Sequence, residues 1–228
     1  MTLTPTISQA EYNHTTRRGA SMNHKDQREQ IVRLAESLFQ RGFSVGSAGN
    51  ISVRVPGGYL MTPTDSSLGR LSAERLSLLD EEWQHVDGDR PSKEVVMHRA
   101  LYESRPEAGA IVHLHSTHVT ALSCLERADG QQLLPAFTPY FVMRLGREVP
   151  VVPYYRPGSA EIEADITEAG RRGPAIILSN HGSIVAGASL EAAVNAAEEL
   201  EASAELALLL HNRPVRQLTE AEIVELLP

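Results

Sequence analysis

The hydrophobic positions of the chain recur at helical spacing in several stretches that end in capping or breaking residues. In residues 25–41 the apolar side chains repeat at i, i+3, i+4 and i+7, the spacing of one helix face, and Gly42 follows as a stop. Ser92 is the predicted N-cap of a helix that opens at residues 91–94 and ends near residue 104. Five further helices are predicted. They are a short helix from Ser72, helices over residues 116–124 and 158–170, a long helix from Ser189 to about residue 211, and a last short helix that begins at the capping box of residues 219–222.

Alternating or wholly apolar runs between these helices predict β-strands. Residues 51–55 and 59–62 flank the turn Pro56-Gly57-Gly58 and predict a hairpin. Helices that alternate with strands, together with a hairpin, predict an α/β domain with a mixed, largely antiparallel sheet. The remaining signals are a weak strand pair over residues 76–86, strands over residues 110–116, 149–155, 175–179 and 183–186, and an apolar stretch over residues 137–145 that fits either a helix or a strand.

The composition is that of one globular domain, which we expect over residues 25–228. The 228 residues are 42% hydrophobic and 22% charged, which is ample for a sizeable core. Residues 1–24 mix Thr, Ser, Asn and Arg without periodicity, so we expect a flexible N-terminal segment, in which Met22 offers an alternative start. This segment lacks the apolar stretch and cleavage site of a secretory signal.

Charge and cysteine content narrow the class of function. The net charge of −8, with no basic stripe to offset it, argues against nucleic-acid binding but leaves an anionic small substrate open. No apolar run approaches the roughly 20 residues that span a bilayer, so we expect no membrane association. The single cysteine, Cys124, excludes an internal disulfide and favours a reducing, cytoplasmic location.

Two histidines on one predicted strand are the first candidate site. In residues 110–116 the apolar side chains face one side of the strand, whereas His113 and His115 face the other. Side chains two apart on a strand lie about 6.5–7 Å apart, from where two imidazoles can close on one metal ion. Because the chain has 9 histidines, a chance His-x-His pair is common, and the pair alone leaves both a metal site and two core histidines open.

Three other features have both a chemical and an ordinary structural explanation. The small-residue loop 46–50 and the hydroxyl-rich loop 62–67 expose groups that suit an oxyanion, yet either could be a plain turn. Glu94, in the first turn of a predicted helix, would also complement the helix dipole. His181 lies on a sharp turn between Asn180 and Gly182, where functional groups are often presented.

Five motifs in this order resemble the class II aldolase and adducin family. The resemblance extends from about residue 27 to the end of the chain, and it implies a three-layer α/β/α fold around a mixed, largely antiparallel sheet. The matching segments are Ser47-Ala48-Gly49-Asn50, Thr62-Pro63-Thr64, Pro91-Ser92-Lys93-Glu94, His113-Leu114-His115 and Asn180-His181-Gly182.

The resemblance implies a role for each matching residue. His113, His115 and His181 would bind one zinc ion, and Glu94 would be the acid/base carboxylate, which can also touch the metal when substrate is absent. Tyr140 lies near the place of a tyrosine that a neighbouring subunit lends in a fourfold ring, which implies a homotetramer with sites at subunit interfaces. The substrate phosphate would be held by Ser47, Gly49, Asn50, Thr64 and Ser92.

Two residues depart from the aldolase pattern. Asp65 stands after Thr64 where the family usually has glycine, so it must point away from the proposed phosphate loop or bind something other than phosphate. Lys93 replaces a hydroxyl residue and adds a positive charge, which would suit a second substrate anion such as a carboxylate.

The segments 62–64, 91–94, 137–144 and 153–158 look most like the 3-oxo-tetronate 4-phosphate decarboxylases of this family. Such an enzyme is a carbon-carbon lyase that converts a four-carbon 3-keto acid phosphate to dihydroxyacetone phosphate and CO2 through a metal-stabilised enediolate. The alternatives are a fuculose- or ribulose-phosphate aldolase, a pentulose-phosphate 4-epimerase, and the non-catalytic interaction head of the adducins. Manganese, cobalt or iron could take the place of zinc.

Overall fold

The computed structural model describes residues 24–126 and 132–227. The predicted N-terminal segment, residues 1–24, lies outside the described residues except for His24, which is buried at the start of the first helix. None of the described helices is both long and apolar enough to cross a membrane.

The described residues form a central eight-stranded sheet with helices on both faces. The strands are β1 Asn50–Val55, β2 Gly58–Met61, β3 Ser77–Leu79, β4 His85–Asp87, β5 Ala110–Leu114, β6 Val151–Val152, β7 Ala175–Leu178 and β8 Gly182–Gly187. The α-helices are α1 Lys25–Gln40, α2 Val95–Ser104, α3 Thr117–Ser123, α4 Pro139–Leu145, α5 Glu163–Arg172, α6 Leu190–Leu209 and α7 Glu220–Leu226, and 3-10 turns cover Leu68–Arg70, Ala73–Arg75 and Ala160–Ile162.

The strand order is β4-β3-β2-β1-β5-β8-β7-β6. Only the β6–β7 pair among the described strands is parallel, and the other neighbours are antiparallel. The predicted mixed, largely antiparallel sheet is therefore confirmed.

Two apolar cores cover the two faces of this sheet. On one face α1, α3, α4 and α6 pack against the strands, with Ile31, Val112 and Leu200 among the buried side chains. On the other face α2 and α5 do so, with Leu101 and Ile166 buried. These cores confirm the three α/β/α layers, and the apolar and histidine-bearing faces of β5 are those that its alternation predicts.

The middle of the sheet gathers the sequence motifs at one end. β1 begins at Asn50, β5 ends at Leu114 and β8 begins at Gly182, and the register pairs Asn50 with His113 and Leu114 with Ser183. Because these strands are antiparallel neighbours, the loop before β1, the residue after β5 and the turn before β8 meet at the same end of the strands.

Several predicted elements have other bounds in the structure. Ser92 is wrong as the N-cap of α2, because that helix begins at Val95 and Glu94 occupies the cap position. The strand predicted over residues 149–155 is only Val151–Val152, since Pro150 and Pro153 lack the N–H groups that a longer ladder needs. The strand predicted to reach residue 116 ends at Leu114, so His115 lies just beyond it.

The apolar stretch 137–145 resolves into a helix, α4. Pro139 occupies its first turn, and the Thr138 side chain accepts a hydrogen bond from the Phe141 N–H as an N-cap. The helix predicted over residues 158–170 starts with a 3-10 turn at Ala160 and continues to Arg172.

Candidate metal centre

His113, His115 and His181 come together at the end of the sheet where β5 stops and β8 starts. One ring nitrogen of each lies within 4.8 Å of the others. Close backbone packing makes this possible, because a side chain at position 182, where φ is +155°, would lie 2.3 Å from the Leu114 carbonyl oxygen. Glycine at 182 therefore lets the His181 turn sit against the end of β5.

A backbone hydrogen bond determines how His113 presents its ring. Its Nδ1 lies 2.7 Å from the Ser183 carbonyl oxygen, which can only accept, so Nδ1 carries the hydrogen and Nε2 keeps a free lone pair. The Nε2 atoms of His113 and His115 are 3.0 Å apart. Neighbouring ligands of a tetrahedral zinc ion lie about 3.3 Å apart, given bonds of roughly 2.0–2.1 Å.

The turn that carries His181 is held by helix α3. The Asn180 N–H donates to the Ser123 carbonyl oxygen over 3.0 Å, and the His181 N–H donates to Ser123 Oγ over 3.3 Å. The ring nitrogen Nε2 of His181 is buried and has no hydrogen-bond partner among the described residues. A buried nitrogen without a hydrogen-bond partner, next to two further imidazoles, is suited to coordinate a metal ion.

Glu94 completes the cluster from the opposite side. Its Oε2 lies 3.3 Å from His113 Nε2 and its Oε1 lies 3.4 Å from His181 Nε2, and its side chain is buried. The Glu94 N–H donates to Ser92 Oγ over 3.2 Å, so Ser92 holds the backbone that presents this carboxylate. Burial raises the pKa of the Glu94 carboxyl, whereas the hydrogen bond that the Asn50 amide donates to Oε2 lowers it.

The donor set suits a divalent transition metal. Burial, with the neighbouring His113 and His181, lowers the pKa of His115 to about 3, so its imidazole is neutral. Neutral imidazoles and an ionised carboxylate are the forms that bind metal. Three imidazoles leave at least one coordination position for a substrate oxygen, as catalytic sites require. These residues therefore fit a metal ion.

A polar cavity of about 180 Å³ opens beside the cluster. Every residue to which the resemblance gives a phosphate-binding role lines it, namely Ser47, Gly49, Asn50, Thr64 and Ser92. The lining also includes Asp65, Lys93, Glu94, His115 and His181. Gly49 admits no side chain, because its Cβ would lie 2.7 Å from the His113 carbonyl oxygen at φ +78°.

One acidic and one basic residue line this cavity in addition to Glu94 and the histidines. Asp65 is among the residues that line it and adopts the left-handed backbone conformation, with φ +54°. The Lys93 side chain is exposed, and no described carboxylate forms an ion pair with its ammonium group.

Tyr140 is not brought to this cavity within its own chain. It lies at the start of α4, and its side chain is 60% exposed. A role for Tyr140 therefore needs a second copy of the chain, as the resemblance implies.

His98, a fully buried residue one helical turn after Glu94, is not among the site residues predicted from the sequence. It hydrogen-bonds to Asn50, which in turn hydrogen-bonds to Glu94. Burial, with His113 nearby, lowers the pKa of His98 to about 3, so this imidazole is neutral as well. The i, i+4 spacing of Glu94 and His98 was the available signal, since it puts both on one helix face.

A family model for the class II aldolase and adducin N-terminal domain matches residues 29–208 of the chain. A 3-oxo-tetronate 4-phosphate decarboxylase of Escherichia coli O6:H1 is 51% identical over 200 residues, which cover 87% of this chain and 94% of that protein. The L-fuculose phosphate aldolase of the same strain is 35% identical over 200 residues, which cover 87% of this chain and 91% of the aldolase.

Solved structures show the same relationship. The structure of a candidate aldolase, epimerase or decarboxylase from Escherichia coli has 48% identity and a TM-score of 0.85, and the match covers 89% of this chain and 98% of that one. An L-fuculose 1-phosphate aldolase structure has 27% identity and a TM-score of 0.81, with 90% of this chain and 96% of that one covered.

Proposed function

The chain belongs to the class II aldolase and adducin family, and we propose that it decarboxylates a 3-oxo-tetronate 4-phosphate to dihydroxyacetone phosphate and CO2. The observation that carries the proposal is the near full-length similarity to decarboxylases of that name, which exceeds the similarity to the fuculose aldolases. The histidine cluster, Glu94 and the polar cavity supply the groups that this reaction needs.

The reaction breaks the bond between C1 and C2 of the substrate. C1 leaves as CO2, the electron pair of the bond passes into the C3 ketone, and a proton added at C2 gives dihydroxyacetone phosphate. A divalent metal ion held by His113, His115 and His181 would supply the Lewis acid that polarises the ketone oxygen. We propose zinc as this ion, since three imidazoles with an open position are a common zinc set.

Glu94 is the proposed proton carrier. Its carboxylate is buried next to the histidine cluster and opens into the cavity, so it can take up a proton and hold it near C2. We propose that Tyr140 of a neighbouring subunit assists in the same transfer, which requires a homotetramer with sites at subunit interfaces. The exposed position of Tyr140 at the start of α4 supports this assignment.

The residues that line the cavity offer groups for both anionic groups of the substrate. We assign the phosphate to the loop residues Ser47, Gly49, Asn50, Thr64 and Ser92, which expose small side chains and hydroxyls. We assign the carboxylate to Lys93, because its ammonium group has no described carboxylate partner and lies next to Glu94 in sequence. Carbon dioxide is neutral, so the same cation does not retain the product.

The phosphorylated substrate class and the single cysteine, Cys124, support a cytoplasmic location as part of this proposal.

A substrate panel tests the function. Purified, zinc-loaded protein is given the erythro and threo 3-oxo-tetronate 4-phosphates, and CO2 and dihydroxyacetone phosphate are measured together. L-fuculose 1-phosphate is tested for aldehyde release under the same conditions, with Glu94→Gln as the background control. We expect CO2 release from one of the two keto acids, well above that control. Aldehyde release without CO2 would assign the chain to the aldolases instead.

A further inference from the structure

A line of buried polar side chains runs from Glu94 into the protein interior. Asn50 Nδ2 donates to Glu94 Oε2 over 2.8 Å, and Asn50 Oδ1 lies 2.6 Å from His98 Nε2. His98 Nδ1 lies 2.7 Å from Ser52 Oγ, and the Tyr102 hydroxyl donates to the Ser52 carbonyl oxygen over 3.2 Å. Both His98 and Ser52 have 0% exposure to solvent.

The line arises because the spacing of α2 matches that of β1. Glu94 and His98 are four residues apart on one helical turn, about 6 Å along the axis. Asn50 and Ser52 are two residues apart on the facing strand, about 6.6 Å. The helix and the strand therefore present two polar side chains each at similar heights, and His98 bridges both strand residues.

The carboxylate at one end determines the orientation of every group behind it. An ionised carboxylate only accepts hydrogen bonds, so Asn50 must turn its NH2 group toward Glu94 and its carbonyl oxygen toward His98. His98 Nε2 must then carry the hydrogen, and His98 Nδ1 accepts the single hydrogen of the Ser52 hydroxyl at 2.7 Å, in preference to the longer contact of 3.3 Å between Ser52 Oγ and the Tyr102 oxygen. The neutral Nε2–H form of His98 thus satisfies every contact from Glu94 to Ser52.

We propose that His98 is a positioning residue, which holds the Asn50 amide in one orientation and thereby keeps an N–H donor on Glu94. If the Asn50 side-chain amide were flipped, its carbonyl oxygen would lie against the Glu94 carboxylate. The repulsion between the two oxygens would move that carboxylate away from the reacting carbon. Asn50 keeps one amide hydrogen for the cavity that it also lines. The kinetic part of this inference rests on the proposed function.

Three variants separate positioning from stability. His98→Leu removes the donor to Asn50, whereas His98→Gln retains an amide N–H near the position of Nε2. Leu101→Ala creates a cavity on the same helix, at a buried residue outside the polar line. We expect His98→Leu to lower kcat roughly 10- to 100-fold, with KM and metal content unchanged. His98→Gln should recover most of kcat, and Leu101→Ala should lower the thermal midpoint without lowering kcat.

Two readouts keep this result separate from the decarboxylation itself. The exchange of the hydroxymethyl hydrogens of dihydroxyacetone phosphate with deuterated water uses the same proton transfer and needs no keto acid. Wild-type protein that exchanges these hydrogens without releasing CO2 would contradict the proposed function alone. ¹⁵N NMR of histidine-labelled wild-type protein needs no substrate, and we expect one neutral imidazole protonated at Nε2 that is missing in His98→Gln.

The positioning role is overturned if His98→Leu keeps the wild-type rates of both reactions. It is also overturned if His98→Gln is as slow as His98→Leu, since the hydrogen bond to Asn50 would then not be the cause. A spectrum in which His98 is protonated at Nδ1 would contradict the assigned orientation of Asn50.

Discussion

His113, His115 and His181 reach one point through three different local constraints. His113 is oriented by the Ser183 carbonyl oxygen, and His181 by a turn whose backbone is tied to Ser123. His115 follows the last residue of β5, and its ring stands edge-on to both other rings, with centroids 4.8 and 4.6 Å away. Because His113 and the His181 turn are held by separate backbone contacts, the loss of one of these imidazoles should leave the other in place.

We predict that His113→Ala, His115→Ala and His181→Ala each reduce bound zinc well below one ion per chain. Each change takes one nitrogen donor from the three-imidazole set, and the loss of a donor weakens the binding of the ion. Elemental analysis after dialysis measures the effect, and His85→Ala, a change at an exposed histidine, is the matched control. Full occupancy in any of the three variants would remove that residue from the site.

Lys93 is the residue that we expect to select the reaction. Lys93→Ser recreates an aldolase-like sequence and removes one charge-assisted contact, worth about 1.5–3 kcal/mol, to the substrate carboxylate. Decarboxylation kcat/KM should fall by roughly 10- to 150-fold, while the metal content should not change. Lys25→Ser, at the other lysine of the sequence, is the control, since Lys25 is exposed on α1 and pairs with Glu29. Unchanged decarboxylation by Lys93→Ser would favour an aldolase or an epimerase.

At the scale of elements, helix α3 supports the candidate metal centre although it contributes none of the candidate ligands. Ser123 at its last turn holds the backbone of Asn180 and His181. Glu201 of α6 holds its first turn, because its carboxylate accepts hydrogen bonds from the backbone N–H groups of His118, over 2.8 Å, and Val119, over 2.9 Å. A carboxylate at this end also complements the helix dipole.

We predict that Glu201→Ala lowers the free energy of unfolding by about 1–3 kcal/mol, because two partly buried N–H donors lose their acceptor. Urea unfolding, followed by the fluorescence of the single tryptophan, Trp83, gives this value. Glu205→Ala is the control, since Glu205 is exposed on the same helix. Equal stability of the two variants would show that α3 does not depend on Glu201.

At the scale of the whole molecule, α4 leaves two large side chains uncovered. Tyr140 and Met143 are each 60% exposed, although the opposite side of α4 is buried. Large apolar and aromatic side chains on one face of a helix are typical of an interface between subunits.

We predict that the chain forms a ring, most simply a tetramer, in which Tyr140 acts across the subunit boundary. Sedimentation should show the assembly. Mixing inactive Tyr140→Phe chains with inactive Glu94→Gln chains should restore part of the activity, because some hybrid sites then combine two intact residues. Mixing two batches of Glu94→Gln is the control. A fully active monomer would contradict the prediction.

The buried His98 also makes the stability of the whole chain depend on pH. Its pKa is about 3 in the folded protein against the ordinary value of 6.5, so between these values the unfolded chain binds a proton that the folded chain does not. The stabilisation is therefore present above about pH 6.5 and is lost as the pH falls toward 3.

We predict that the free energy of unfolding of the metal-free protein falls by about 2 kcal/mol between pH 7 and pH 5 because of His98 alone. Urea unfolding of wild type and of His98→Gln at both pH values, at one protein concentration, isolates this contribution from that of other histidines. The same pH-dependent loss in both proteins would contradict the low pKa of His98.

The sequence by itself determined most of the elements and the chemistry that the site can hold. Periodicity records which side of a helix or strand is buried, so the long helix over Leu190–Leu209, the β1–β2 hairpin and the two faces of β5 were readable locally. The motif residues were readable through their order along the chain, and the structure places all of them except Tyr140 at one cavity or in the adjoining histidine cluster.

Only the tertiary structure decided how these residues are held. The start of α2 at Val95, the short β6 and the line from Glu94 through Asn50 to His98 depend on contacts between segments far apart in sequence. Glu94 and Asn50 are 44 residues apart, and His113 and Ser183 are 70 apart. No local pattern encodes such distances, because a hydrogen bond between β1 and α2 exists only once both have packed on the same sheet.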